Sequence, residues 1–251
     1  MGDSFQEQSK DSADMPKFCA LIPCHNNAET LAGVVRSLPE WVDVIVVDDG
    51  SDVPVAAPDG RTCVLRFDAN RGKAEALKSG FAEAAARGFT HAITIDADGQ
   101  HPTSSFPQFV SAARRNPECV IVGVRDFSAA DIPPERRFMN KFSNFWFAYE
   151  TGIKLSDTQC GYRCYPLAQI SKLRLRGGGF VYEAELLVRA AWAGIGLREV
   201  AIPAVYTPES LEASHYRPIV DTAKFSLMNA KFSFMATFFS KKILCKLSVS
   251  E

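Results

Sequence analysis

The chain has 251 residues, a formal net charge of -1, a hydrophobic fraction of 47% and a charged fraction of 23%. This length supports one large α/β domain with a full core, and the composition is that of an ordinary globular protein. A nearly neutral chain has no overall attraction to nucleic acid, so we predict no nucleic-acid partner and a local site for any anionic ligand.

The termini and cysteines bear on location. Residues 1–16 are polar, which predicts a disordered N-terminal segment and not a signal peptide. The seven cysteines form no CxxC pair, which favours reduced thiols in the cytosol. Apolar runs stay shorter than the ~18 residues that a transmembrane helix needs. We therefore predict a cytoplasmic protein.

Short apolar runs alternate with helical patterns from residue 18 onward. We predict strands at 18–24, 42–50, 63–68, 91–98 and 119–126, with helices at 29–38 and 72–88. This alternation is typical of a Rossmann-like, mostly parallel sheet flanked by helices. Ligands bind such sheets at the carboxyl ends of the strands, and polar residues follow four of these strands directly.

The second half of the chain is less regular. The pattern predicts an aromatic-rich helix at 133–152, a turn and strand at 157–166, a helix at 177–194 and a strand at 197–206. A polar loop at 207–218 precedes a long amphipathic helix. We predict one α/β domain over 17–218, followed by a C-terminal amphipathic helix and tail over 219–251.

The most specific motif is ITIDADGQHP, in which Asp96 and Asp98 follow an apolar strand. In an extended segment, side chains two positions apart point the same way, so the two carboxylates can share a target. Their mutual repulsion favours a cation between them, and oxygen ligands suit Mg²⁺ or Mn²⁺. Gln100 can add an amide oxygen. The alternative is a solvated turn, but the other polar strand ends favour a metal site.

Two further strand ends carry polar clusters. Asp48 and Asp49 end the second strand, where a carboxylate can accept from a nucleoside or simply cap a turn. Arg71 and Lys73 open the second helix, whose N-terminus suits a phosphate or carries two surface cations.

These motifs together, in order and spacing, resemble the family 2 glycosyltransferases of the GT-A fold. The stretches that carry the resemblance are IPCHNNAETL, VIVVDDGSD, NRGKAEAL, IDADGQHP, VGVRD, DTQCGYRCYP and FVYEAELLVRAAWAG, within residues 18–218. They are most similar to the dolichyl- or polyprenyl-phosphate mannosyl- and glucosyltransferase branch.

The resemblance implies roles for individual residues. It implies a metal and donor-diphosphate site at Asp96, Asp98 and Gln100. It also implies a wider nucleotide-sugar site to which these residues contribute: Pro23, Asn26, Asp48, Asp49, Lys73, Asp96, Arg125 and Arg163.

Transfer to a hydroxyl needs a general base, whereas an ionised phosphate acceptor does not. Glu183 matches the family's acidic position on the acceptor side, so we predict Glu183 and Asp98 as catalytic residues. Glu185 is a second candidate base, but Arg189 at i,i+4 offers it a structural ion pair. His215 and Arg217, in the loop after the last strand, are either a further metal or diphosphate contact or surface residues.

The C-terminal helix combines many phenylalanines with lysines, which is typical of a helix at a membrane interface. It could also dock on the domain or on a partner. We predict peripheral contact with the inner face of the membrane, where a lipid-linked or glycan acceptor would be met. The predicted activity is therefore an inverting, metal-dependent transfer from a UDP- or GDP-sugar. The alternatives are a non-catalytic nucleotide-sugar scaffold and a sugar-phosphate nucleotidyltransferase.

Overall fold

The structure is a computed structural model that describes residues 15–126, 132, 134–179, 181–203 and 218–250, without the side chains of 218–222. The strands are β1 (Phe18–Cys24), β2 (Asp43–Asp48), β3 (Thr62–Arg66), β4 (His91–Thr94), β5 (Val120–Arg125), β6 (Arg163–Pro166) and β7 (Leu197–Ile202). The helices are α1 (Ala28–Ser37), α2 (Lys73–Ala86), α3 (Phe106–Arg115), α4 (Pro134–Thr151), α5 (Leu167–Ile170), α6 (Val181–Trp192), α7 (Pro218–Phe238) and α8 (Lys241–Ser248).

The strands form one sheet in the order β3-β2-β1-β4-β6-β5-β7. Every pairing is parallel except those of β6, which runs antiparallel to both β4 and β5. The predicted mostly parallel sheet with flanking helices is therefore confirmed. Because β6 runs against its neighbours, the segment that precedes it reaches the edge where the parallel strands end.

Alternate residues of the central strands bury against helices on the two faces of the sheet. Leu21 and Ile45 face the core under α2 and α6, whereas Ile22 and Val46 face the core under α1 and α3. Burial on both faces explains why β1 and β2 are continuous apolar runs and not alternating ones. The strand ends carry the polar residues.

Helices α7 and α8 pack on the domain through one side only. Phe232 of α7 is 1% exposed and lies edge-on to Trp192 of α6, with ring centroids 5.2 Å apart. The Arg189 guanidinium donates to the Leu247 carbonyl of α8 at 2.8 Å. The C-terminal helix is thus present and docked, and the boundary at 218/219 stays a prediction. None of the described helices is both long and apolar enough to cross a membrane.

The predicted disordered segment 1–16 lies almost entirely outside the described residues. The predicted strands at 42–50 and 63–68 end two residues early, at Asp48 and Arg66. The larger correction is to the strand predicted at 91–98, because β4 ends at Thr94. The two aspartates of the acidic motif therefore lie beyond the strand.

Candidate active site

The acidic motif forms a turn and not the extended segment that we predicted. Residues 97–98 are in a turn, and Asp98 Oδ1 accepts a hydrogen bond from the Gln100 backbone N–H at 3.0 Å. Thr30 Oγ1, near the start of α1, donates to the Ala97 carbonyl at 2.6 Å. The turn is therefore anchored to α1 and presents both carboxylates at the carboxyl edge of the sheet.

Lys73 joins the acidic turn to Glu183. Its Nζ lies 2.7 Å from Asp96 Oδ1 and 3.0 Å from Glu183 Oε2, and its side chain is 19% exposed. Gly72 precedes α2 with a positive φ of 89°, and Lys73 is the first residue of that helix. The side chain of Lys73 therefore extends into the site from the first turn of α2. The structure thus brings together the predicted metal site, the predicted base and the predicted phosphate cation.

The charges of this group shift one another's pKa values. Burial acts to raise the pKa of Asp96, but Lys73 and then His101 more than offset it, so that pKa is lowered. Burial, and then repulsion from Asp96, raise the pKa of Asp98. Burial acts to lower the pKa of Lys73, but Asp96 and Glu183 together raise it. Asp98 is therefore a carboxylate that lacks a strong countercharge of its own.

His101 is a site residue that the sequence analysis passed over. Its Nδ1 lies 3.3 Å from the Asp96 backbone N and 3.8 Å from Asp96 Oδ2. Burial lowers the pKa of His101 to about 4, so the ring is neutral near pH 7 and can accept the hydrogen bond from the Asp96 N–H. The sequence DGQH (98–101) could have identified His101 as a site residue, because a histidine so close to two aspartates indicates a polar turn.

Gly161, in the segment that leads into β6, was also missed. A Cβ added there would lie 2.8 Å from Asp96 Oδ2 and 3.4 Å from Lys73 Nζ. A side chain at this position would displace the ion pair, so glycine leaves the space in which Asp96 and Lys73 meet.

Arg163 is a buried cation. It is 1% exposed, and its guanidinium donates to the carbonyls of Thr158, Cys160 and Glu183. Its position in β6, opposite Thr94 and Val122, buries it within the sheet. Arg163 therefore holds the backbone on both sides of the site, and its contribution to a nucleotide-sugar site stays a prediction.

Arg125 forms a two-pronged ion pair with the buried Asp157. The Nε–Oδ2 and Nη2–Oδ1 distances are 2.7 Å and 2.9 Å. The arginine is close enough to the acidic turn to contribute to the lowered pKa of Asp96. Its contact with a phosphate stays a prediction.

The predicted nucleoside residues line the neighbouring loops. Asp48 is fully buried, and its carboxylate closes a turn by accepting from the Ser51 and Val55 N–H groups and from Arg66. Its contact with a nucleoside stays a prediction.

Asp49 accepts from the Arg71 and Gly72 N–H groups at 2.7 Å and 2.8 Å and is 4% exposed. Asn26 is exposed at φ 55°, with its side chain bonded to Asp52, and Pro23 is half-buried. Nucleoside contacts by Asp49, Asn26 and Pro23 stay predictions.

Glu185 has a structural role. Its carboxylate lies 2.6 Å from Arg189 Nε and accepts from the Arg176 N–H at 2.9 Å. The ion pair that the i,i+4 spacing predicts is thus confirmed, and Glu183 is the acid of α6 that faces the lysine. His215 and Arg217 lie outside the described residues, so their roles stay predictions.

The side-chain oxygens at this site suit a divalent ion that is bound together with a substrate. Two repelling carboxylates and the nearby Gln100 offer hard oxygen ligands, and burial together with the charge of Asp96 raises the pKa of Asp98. Among the described residues, no three His, Cys, Asp or Glu side chains are placed to hold a metal by themselves. The remaining ligands would have to come from elsewhere, such as a diphosphate.

The parallel sheet, the acidic turn after β4 and the acid of α6 define a glycosyltransferase of the GT-A fold. The model of the family "Glycosyl transferase family 2" matches residues 19–172, and the chain belongs to that family. It is 27% identical over 212 residues to a polyprenol monophosphomannose synthase of Mycolicibacterium smegmatis, covering 77% of this chain and 78% of that protein. It is 26% identical over 210 residues to an undecaprenyl-phosphate mannosyltransferase of Micrococcus luteus, covering 77% and 85%.

Among solved structures, the chain is similar to glucosyl-3-phosphoglycerate synthase from Mycobacterium tuberculosis, in complex with Mn²⁺, UDP and phosphoglyceric acid. The TM-score is 0.60 at 16% identity, over 90% of this chain and 80% of that one. At this identity the likeness establishes the fold alone.

Proposed function

We propose that this glycosyltransferase moves a sugar from a UDP- or GDP-sugar to a lipid-linked acceptor, with inversion at the sugar carbon. The acceptor is a polyprenyl phosphate or the hydroxyl of a lipid-linked glycan. The observation that carries the proposal is the Lys73 bridge between the acidic turn and Glu183. The names of the two bacterial relatives support the acceptor class.

Asp96, Asp98 and Gln100 are the residues that would hold Mn²⁺ or Mg²⁺ beside the donor diphosphate. The ion would neutralise the charge that develops on the leaving diphosphate. Lys73, whose Nζ bonds to Asp96, adds a second positive charge near the leaving diphosphate. These residues bind and orient the donor.

Glu183 lies on the acceptor side. Its Oε1 is buried and has no hydrogen-bond partner within the described residues. An acceptor hydroxyl that donates to Oε1 would lose its proton to Glu183 as its oxygen bonds to the sugar carbon and the bond to the diphosphate breaks. A phosphate acceptor that is already ionised would need no such transfer.

We further propose that the enzyme works at the inner face of the membrane, with peripheral contact through its C-terminal helix. A lipid-linked acceptor is confined to the bilayer, so contact there raises the rate of encounter. The exposed phenylalanines Phe234 and Phe238 of α7 support this proposal.

The test is transfer of labelled sugar from UDP- and GDP-sugars, with Mn²⁺, to detergent-solubilised polyprenyl phosphate and to a glycan acceptor. Asp98→Asn should abolish turnover and Mn²⁺-dependent donor binding. Asp43→Asn is the matched control, because Asp43 is exposed at the opposite end of a strand. Full activity of Asp98→Asn would refute the proposal.

Glu183→Gln separates the two acceptor classes. Loss of a general base lowers kcat by about 100- to 10,000-fold for a hydroxyl acceptor. A much smaller loss is expected with polyprenyl phosphate. Mn²⁺ binding to Glu183→Gln should persist in either case.

A further inference from the structure

The exposed apolar side chains of this protein are concentrated in one region. Within the described residues, all the large exposed hydrophobic side chains except Met15, Trp41 and Val53 lie in 138–153 and 227–247. Contiguous apolar patches are uncommon on soluble monomers and mark interaction sites.

Helix α4 contributes the first row. Phe138, Phe142, Phe145 and Tyr149 recur at helical spacing and are 66%, 38%, 61% and 52% exposed. Their rings adjoin one another, directly or through Trp146, with centroids 5.3 to 6.3 Å apart. The opposite side of the same helix buries Phe147. The row is therefore the outward side of a docked helix.

Helix α7 contributes a second row beside the first. It comprises Leu227, Phe234 and Phe238, which are 74%, 58% and 67% exposed. The Tyr149 hydroxyl of α4 lies 3.0 Å from Thr237 Oγ1, and Ser233 Oγ lies 3.4 Å from Glu150 Oε1.

Farther toward the start of both helices, Ser143 and Phe225 line one cavity. The two helices thus run side by side in the same direction, and their exposed rows are neighbours.

The same helices are basic. By sequence, α4, α7 and α8 carry eight basic and three acidic residues, whereas the whole chain has a net charge of -1. The buried Glu150 is one of the three acids. Exposed aromatic rings among lysines and arginines are complementary to a lipid surface with anionic headgroups.

We infer that α4 and α7–α8 together form one composite membrane-binding face for an anionic lipid surface, to which α4 contributes as much as the C-terminal helix. The inference rests on the proposed lipid-linked acceptor. A cavity between α4, α6 and α7 is lined by Ala184, the neighbour of Glu183, so the buried sides of these helices approach the proposed base.

The experiment is flotation of the full chain with vesicles of phosphatidylcholine, alone or with roughly one-third phosphatidylglycerol. Neither donor nor acceptor is present, so the result is independent of the transfer assay in detergent. The wild-type protein should bind the anionic vesicles more than the neutral ones. The α4 variant Phe138→Ser/Phe142→Ser/Phe145→Ser should lower the partition coefficient by about tenfold or more.

Two further variants complete the design. Leu227→Ser/Phe234→Ser/Phe238→Ser in α7 should give a similar loss. Trp41→Ser/Val53→Ser removes comparably exposed side chains (59% and 72%) outside the face and should bind like the wild type. Urea unfolding checks that each variant is folded.

Three results would overturn the inference. One is wild-type binding by the α4 variant when the α7 variant has lost it, since the C-terminal helix would then act alone. Another is absence of wild-type binding to anionic vesicles. The third is a wild-type dimer that the α4 substitutions dissociate, which would show that a second copy covers the face.

Discussion

Replacing Lys73 with Met would remove the ammonium group that lies 2.7 Å from Asp96 and 3.0 Å from Glu183. Opposite charges at this separation attract by about 6 kcal/mol at an effective dielectric constant of ~20. The desolvation of the lysine offsets much of that attraction. Removing one partner from a buried ion pair costs about 3–5 kcal/mol. Because Asp96 is 30% exposed, we expect Lys73→Met to lower the free energy of unfolding by about 2–3 kcal/mol.

The same change should strengthen the binding of Mn²⁺ alone. The Lys73 ammonium repels a divalent cation and occupies Asp96 Oδ1, so its loss should raise the affinity by about tenfold, or ~1.4 kcal/mol. Urea unfolding measures the stability, and paramagnetic resonance of free Mn²⁺ measures the binding. Lys78→Met is the matched control, because Lys78 lies on the same helix in an exposed pair with Glu75. Weaker Mn²⁺ binding by a fully folded Lys73→Met would refute the reasoning.

Burial raises the pKa of Glu150 from 4.5 to about 8, so the native state keeps a proton that the unfolded chain loses. The free energy of unfolding is therefore highest below pH 4.5 and falls as the pH rises from there through 8. Glu150→Gln should remove this fall, which amounts to about 3 kcal/mol between pH 5.5 and 8.5. Urea unfolding at these two pH values measures it, and an unchanged dependence of the unfolding free energy on pH would contradict the prediction. Gly161→Ala places a Cβ 2.8 Å from Asp96 Oδ2, so it should cost about 1–3 kcal/mol of stability and weaken Mn²⁺ binding. Gly178→Ala, which meets nothing within 4 Å, should do neither. Phe232→Ala should lower the unfolding free energy by about 3–5 kcal/mol and Phe234→Ala by less than about 0.5, and equal losses would mean that α7 is not docked through Phe232.

The strands and the location of the site at the carboxyl edge of the sheet were predictable, because both depend on the local pattern of apolar and polar residues. Residues 18–24 and 44–47 are apolar runs buried on both faces, and the polar residues after them follow from the geometry of parallel sheets. The acidic motif identified the site for the same reason. Its location after β4 was predictable, whereas its local geometry is a turn and not the extended segment that we predicted.

The remaining features depend on contacts between distant residues. The bridge from Lys73 to Glu183 joins positions in α2 and α6 that no sequence spacing relates. The burial of Arg163 follows from the insertion of β6 between two other strands, which makes its charge structural. The stretch DTQCGYRCYP did not reveal this burial, because a local motif carries no information on the strand order.

The position of β6 also has a consequence for synthesis of the chain. Strands β1 to β5 leave the ribosome first, yet β4 and β5 pair with each other only through residues 163–166. The growing chain must keep a gap between two strands, each with an unpaired edge, until β6 arrives. Such edges are the places where unfinished chains join one another. Slow translation between residues 126 and 163 should therefore lower the yield of this enzyme more than a delay after residue 166.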